Sequence, residues 1–234
     1  MRRIVSFSLW GTNPIYTVGA LRNAELAAEL LPDWICYYFC YSSVPRETVS
    51  ALAAKTNVVV CRVSGQGDNR GMFARFFPAG WDGVERMICR DTDSRLSKRE
   101  LLAVEEWVAQ DTDFHIIRDH PHHGVPILGG TWGAKGGKLV GIANAAKRFS
   151  PTSAKGQDQK FLMTWVWPKI LSSELTTTVH DPIFTRQPFP QGAERGRQNG
   201  GVWFVGQCFD EKDQGHISKI DVDLLAAFSA ASRA

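Results

Sequence analysis

The sequence predicts an α/β protein with a mixed, mostly parallel sheet flanked by helices, and three observations carry that expectation. Strand-like and helix-like segments alternate through the first 63 residues, the pattern of a parallel doubly wound sheet. The runs Trp34 to Tyr41 and Val58 to Val63 are nearly uninterrupted in apolar residues, as strands covered on both faces must be. A further strand, Arg86 to Arg90, stops abruptly at Asp91 and Asp93, and a helix starts just behind them. Two carboxylates one residue apart thus come to the C-terminal edge of a sheet, where open α/β sheets hold their ligands.

A chain of 234 residues is ample for one substantial core, and with no repeat, low-complexity tract or linker it reads as a single domain over residues 1–234. Its 44% hydrophobic and 22% charged residues are ordinary for a soluble protein. The net charge of +3 suits a phosphate-bearing ligand and makes no electrostatic case for nucleic acid. Arg2 and Arg3 precede an apolar run, but Gly11, Asn13 and Pro14 cut it too short for a signal peptide or membrane span, so a cytoplasmic protein is expected. The five cysteines are an odd number without the close pairs of a zinc site, and read as reduced core thiols.

The elements follow in order. Ile4 to Trp10 is the first strand, closed by Gly11-Thr12-Asn13-Pro14. A helix runs from about Tyr16 to Leu31, where Pro32 stops it. Trp34 to Tyr41 is the second strand, Pro45 to Lys55 a short helix, and Val58 to Val63 the third strand. Ser64 to Arg70 is a polar, glycine-rich loop. Gly71 to Pro78 is a short apolar helix from which Arg75 projects. Ser97 and Glu100 have the spacing of a capping box, and Leu101, Val104 and Val108 recur on one face of the helix they open, which reaches about Gln110. Phe114 to Asp119 is another strand ending in polar residues. Gly156 or Gln157 to about Leu171 is helical, and an end at Pro168 is the alternative. Val179-His180-Asp181 is a short strand, and residues 187–201, rich in Pro, Gly and Arg, form a mobile loop. A strand at residues 202–206 and an amphipathic helix at residues 221–231 close the chain.

Asp91 and Asp93 can both reach a hard divalent cation through oxygen, with water and substrate phosphate filling its other positions. The same Asp-Thr-Asp-Ser is also a good turn sequence, and both readings stay open. In Gly129-Gly130-Thr131-Trp132-Gly133, Gly130 lets backbone approach a ligand and the Trp132 indole can pack on the apolar face of a sugar ring; an ordinary tight turn is the alternative.

Several stretches together carry a resemblance. Phe73 to Pro78, Arg90 to Ser97 with Glu100, Phe114 to Pro121 and Ile127 to Gly133 resemble a group of small GT-A-fold glycosyltransferases of the chlorella-virus type. Gly156 to Leu162 is similar to the Asp-Gln segment of retaining bacterial lipooligosaccharide galactosyltransferases. The similarity runs from about residue 4 to about residue 210. It implies a GT-A (Rossmann-like) fold, a Mn²⁺ or Mg²⁺ ion, a UDP-sugar or GDP-sugar donor and a glycan or other hydroxyl acceptor. By matching position, Asp91 and Asp93 of the Asp-x-Asp motif would bind metal and diphosphate, Asp158 and Gln159 would lie beside the donor sugar, and His180 would complete the metal shell.

Such a transfer needs the diphosphate's charge stabilised as it leaves, and Arg75, Arg90 or Arg95 can add fixed positive charge beside the ion. A carboxylate must then serve the acceptor hydroxyl or the donor's back face, and the candidates are Asp119 and Asp158. Asp158 can instead cap its own helix, and Arg118 can hold Asp119 in a structural pair. A histidine-ligated metal centre built from His115, His120, His122 and His123 is disfavoured, because one lies in a strand and two are adjacent; one or two of them are expected on the acceptor side of the cleft. The sequence thus predicts a metal-dependent glycosyltransferase of the hexosyltransferase type. The alternative is a nucleotide-sugar-binding or nucleotidyltransferase-like domain, although Leu9 to Pro14 is a poor triphosphate loop.

Overall fold

In the computed structural model, which describes residues 1–149, 151–172, 174–195 and 203–217 together with Asp221, Asp223 and Leu225, a seven-stranded sheet is the organising element. Its strands are β1 (Arg2–Leu9), β2 (Trp34–Tyr41), β3 (Val58–Val63), β4 (Val84–Cys89), β5 (Phe114–Ile117), β6 (Trp132–Lys135) and β7 (Thr177–His180), in the spatial order β3-β2-β1-β4-β6-β5-β7. All pairings are parallel except those of β6, which runs antiparallel to both β4 and β5.

Strand alternation divides the core cleanly. Val5, Phe7, Leu9, Cys36, Tyr38, Cys40 and Ile88 face one side, while Ile4, Tyr37, Phe39, Met87 and Cys89 face the other. The first side is covered by helices α1 (Pro14–Leu30), α2 (Arg46–Ala53) and α3 (Lys98–Gln110). The second is covered by a 3₁₀ helix, Asn69–Gly80, and by α4 (Ile142–Phe149), α5 (Gln157–Phe161) and the turns that follow. Burial on both faces is why the central strands are written as continuous apolar runs.

The chain winds outward from β1 to β3 and then returns to place β4 on the other side of β1. That reversal opens a crevice between the C-terminal ends of β1 and β4, the switch point at which such sheets bind ligands. Two devices shape the crevice. Ser8 on β1 accepts the backbone N–H of Arg75 at 3.1 Å, which ties the 3₁₀ helix to the sheet. Helix α1, opened by Asn13 and Pro14, carries Gly19 and Asn23 against the loop after β4. A Cβ at Gly19 would collide with the Thr92 carbonyl. The buried Asn23 amide donates to Thr92 O at 3.3 Å and Ser94 O at 2.7 Å, and its oxygen accepts from Leu96 N at 3.1 Å.

Some elements differ from the sequence reading. Helix α4 has no cap signal, since it emerges from the glycine-rich stretch 133–141, yet Ile142, Ala145 and Ala146 bury one face of it. Pro168 does not end its helix. The chain widens into a π turn over Leu162–Val166, where Trp167 N–H reaches Leu162 O, and proline falls in the first turn of α6 (Trp167–Ser172). Arg75 does not project from its helix but is 5% exposed. Phe204 to Gly206 form a turn rather than a strand, and Val202 lies outside the described residues, as does most of the expected closing helix. Within the loop expected to be mobile, residues 196–201 lie outside the described residues and Arg195 is pinned to Asp119 at 2.8 Å. The cysteines are free, and Cys208 is exposed. Among the described residues no helix is long and apolar enough to cross a membrane.

Asn23→Ala strands the Leu96 N–H in the interior and takes one of two donors from the Thr92 and Ser94 carbonyls, which Arg95 still meets at 3.3 and 2.9 Å, so it should lower the unfolding free energy by about 1–3 kcal/mol. Urea denaturation measures this, and a change within about 0.5 kcal/mol would mean that α1 does not clamp the loop.

Candidate active site

The site grows from the end of β4. Arg90 N still bonds to Ser6 O at 3.1 Å, after which the chain leaves the sheet. Ser94 closes the turn with its N–H and hydroxyl on Asp91 O, at 3.2 and 2.8 Å. From the far side, Phe209 N donates to Asp93 O at 2.8 Å and the Cys208 thiol reaches Asp93 Oδ2 at 3.6 Å. Asp91 and Asp93 are thereby aimed into a cavity of about 400 Å³, lined also by Trp10, Tyr16, Arg75, Gly129, Gly130, Asp158 and Gln159.

Arg75 is the pivot. One guanidinium nitrogen pairs with Asp91 Oδ1 and the other with Asp158 Oδ2 at 3.0 Å, so one buried cation joins the 3₁₀ helix, the Asp-x-Asp loop and the start of α5. Burial opposes its charge, but Asp91 and Asp158 outweigh that cost and hold its pKa above the ordinary arginine value. Gly129 and Gly130 pass directly over this group. A Cβ on Gly129 would lie 2.8 Å from Arg75 Nη2 and 2.9 Å from Asp158 Oδ2, and one on Gly130 would sit on Asp91 Oδ2. Gln159 braces the same loop, accepting from Gly129 N at 3.2 Å and donating to Ile127 O. The Asp93 carboxyl is pushed up to about 6, first by burial and then by the charge of Asp91. The Tyr16 phenol is raised by burial and then by Asp93.

The structure thus brings together Asp91, Asp93, Arg75, Gly130, Asp158 and Gln159. Five other residues singled out from the sequence are spent elsewhere. Trp132 is fully buried with its ring against Phe76, so its indole offers no face to a sugar. Arg90 is 1% exposed and paired with Glu100, and cannot meet a diphosphate. Asp119 is wholly buried, with Arg99 on both oxygens at 2.7 and 2.8 Å, Arg195 at 2.8 Å and Val205 N at 2.9 Å, which leaves no free oxygen for a base. Arg118, its expected partner, pairs with Asp181 at 2.8 Å. His180 has both ring nitrogens engaged, by His115 at 2.9 Å and Glu106 at 2.8 Å, and has no lone pair for a metal. Arg95 is likewise buried, against Asp213 at 2.7 Å.

Sequence reasoning missed Trp10, Cys208 and the glycine of the turn at Gly206, which reach the cavity from loops, and Tyr16, which reaches it from the first turn of α1. The aromatic pair flanking the Gly11-to-Pro14 turn was the available signal. Of the histidines, only His123 lines the cavity. The His120 and His122 rings and Asp221 do offer ligand atoms within 4.8 Å of one another. However, His122 N–H donates to His120 Nδ1 at 3.1 Å, so the neutral ring carries its proton on Nε2, 3.3 Å from Asp221 Oδ1. That is a donor facing a carboxylate rather than a lone pair facing a cation.

No protein-family model and no curated protein sequence matches the chain. Among solved structures it is similar to a glycosyltransferase involved in the glycosylation of the major capsid of PBCV-1, at 14% identity and a TM-score of 0.50, over 78% of this chain and 82% of that one. It is also similar to the 4-diphosphocytidyl-2C-methyl-D-erythritol synthase of Anaerococcus prevotii, at 9% identity and a TM-score of 0.48, over 98% of both chains. A third likeness is to residues 1–349 of S. aureus TarS, at 15% identity and a TM-score of 0.49, over 77% of this chain and 58% of that one. The mostly parallel sheet with its single antiparallel strand and flanking helices is the GT-A fold, shared with the PBCV-1 glycosyltransferase.

Gly130→Ala should force Asp91 off Arg75 and cost about 2–4 kcal/mol, since a buried cation loses a partner. In an Asp91→Ala background the same substitution should cost less than half as much, because the carboxylate it strikes is gone. Fully additive costs in chemical denaturation would contradict this contact.

Proposed function

We propose that the chain is a metal-dependent glycosyltransferase that moves a hexosyl group from a nucleoside-diphosphate sugar, UDP-sugar first and GDP-sugar second, to a hydroxyl of a glycan or other acceptor. The observation that carries the reading is the convergence of Asp91, Asp93, Arg75 and Asp158 on one cavity at the switch point of a GT-A sheet. The PBCV-1 protein of the same fold is itself a glycosyltransferase.

The residues present fit a divalent ion. The pair offers hard oxygen ligands only, the Asp93 carboxyl is pushed up to about 6 by burial and then by Asp91, so a cation beside it would favour its charged form, and Gly130 leaves Asp91 Oδ2 clear of any side chain. Asp91 and Asp93 would hold Mn²⁺ or Mg²⁺, which when bound supplies Lewis-acid stabilisation of the leaving diphosphate. The rest falls to this chain's side chains. Arg75 fixes the direction of Asp91 and adds positive charge where the phosphates lie. It also orients Asp158, the one of the two proposed catalytic carboxylates that faces the cavity, beside the transferred sugar. There a carboxylate can stabilise positive charge developing at the anomeric carbon, or take the acceptor's proton. Gln159 keeps the Gly129-Gly130 backbone close to the donor.

A nucleotidyltransferase would use the turn after β1 for triphosphate. Here that turn is committed to structure: Gly11 N bonds Ser43 Oγ at 2.8 Å and Asn13 caps α1 through Ile15 N at 3.1 Å.

Incubation with UDP- and GDP-sugars plus Mn²⁺ should release sugar slowly by hydrolysis of the donor. Asp93→Ala should lose Mn²⁺-dependent nucleotide affinity at least tenfold while melting near the wild-type temperature. Asp158→Asn should keep donor affinity within about threefold and lose turnover by about 100-fold. Nucleotide binding with no sugar ever released, or wild-type turnover in Asp158→Asn, would defeat the proposal.

A further inference from the structure

His123 has a property that none of the other described histidines shares. Its ring reaches the cavity with its tautomer fixed by a backbone N–H. Pro121 bends the chain after β5 so that His123 N bonds back to His120 O at 2.8 Å. The backbone N–H of Asp119 then donates to His123 Nδ1 at 3.1 Å. A nitrogen that accepts a hydrogen bond carries no proton, so the neutral ring must carry it on Nε2. Asp119 cannot swing away to release this bond, because Arg99 and Arg195 lock its carboxylate. Phe204 lies edge-on to the ring at 5.8 Å, and Gly206 at φ +87 keeps the approach to Nε2 open, where a Cβ would come within 3.8 Å. Among the described residues Nε2 has no hydrogen-bond partner.

We infer that His123 presents a fixed, neutral Nε2–H into the cleft as a hydrogen-bond donor to a hydroxyl of a hexose, on the donor nucleotide sugar or on the acceptor. The inference rests on the nucleotide-sugar reading above and adds a sugar-orienting residue to it. Burial pushes the His123 pKa down to about 4, with Asp119 pulling the other way, so the ring is uncharged at neutral pH. An uncharged donor suits a hydroxyl better than a phosphate, which draws cations. With Nδ1 engaged and Nε2 protonated the imidazole has no free lone pair, so it orients sugar and does not act as the base.

The test is ¹⁵N-detected NMR of the histidine side chains in the whole protein with Mg²⁺. Wild-type His123 should show the Nε2–H tautomer from pH 8 to pH 5. It should respond little to UDP alone, and clearly either to UDP-glucose or UDP-galactose, which assigns the donor sugar, or to free glucose or galactose added over UDP, which assigns the acceptor. His123→Phe keeps the ring volume. It should hold UDP affinity within twofold and weaken at least tenfold the ligand that moves the imidazole. An Nδ1–H tautomer, or a His123 silent to every sugar while UDP binds, overturns the inference alone. Failure of wild-type protein to bind UDP overturns the nucleotide-sugar reading and this inference with it.

Discussion

A single buried guanidinium organises the cleft. Arg75 is almost fully enclosed, and a cation in that position persists only because two carboxylates meet it. Those carboxylates come from opposite ends of the chain's logic: Asp91 follows the central strand β4, and Asp158 opens a helix 67 residues later. The demand for neutrality therefore does positional work, drawing the Asp-x-Asp loop and the helix over the 3₁₀ segment to one point. The two glycines at 129 and 130 follow from the same demand, since any side chain there would occupy the carboxylate oxygens.

A second layer supports that centre without entering it. Asn23 and Gly19 on α1 clamp the Asp91-to-Ser94 turn from one side, and Cys208 and Phe209 close it from the other. Behind β5, Arg99 and Arg195 neutralise Asp119, whose backbone in turn fixes His123. Charge pairs that contribute little on a surface are here removed from water, where their geometry is strict and the loss of either partner is costly.

The first three strands and the start of α3 were legible because local signals carry them: continuous apolar runs, the Gly11-to-Pro14 turn that closes β1, and Ser97 three residues before Glu100. Even there the capping box was read only in half. Ser97 does accept Glu100 N–H at 3.3 Å, but the Glu100 carboxylate turns inward to Arg90 instead of back to the cap. Asp91 and Asp93 could be placed because strand ends follow from periodicity. Partners could not. Whether Arg75 or Arg90 faces the cleft, whether Asp119 or Asp158 is free, and whether Trp132 shows its face to solvent all depend on contacts between residues far apart in sequence. Arg90 and Trp132 were given to the site and belong to the core, while Trp10 and Tyr16 belong to the site's wall and carry no motif. The resemblance supplied His180 as a metal ligand by position, and its hydrogen bonds to His115 and Glu106 remove it.

The central claim is that Asp91 and Asp93 grip a divalent ion which in turn grips a diphosphate. The most direct measurement is anomalous diffraction from crystals grown with UDP and Mn²⁺. The account predicts one strong manganese peak within about 2.5 Å of oxygens from both the Asp-x-Asp pair and the diphosphate, with Arg75 still on Asp158. Nucleotide bound without a metal peak there, or manganese found instead between His120, His122 and Asp221, would contradict it.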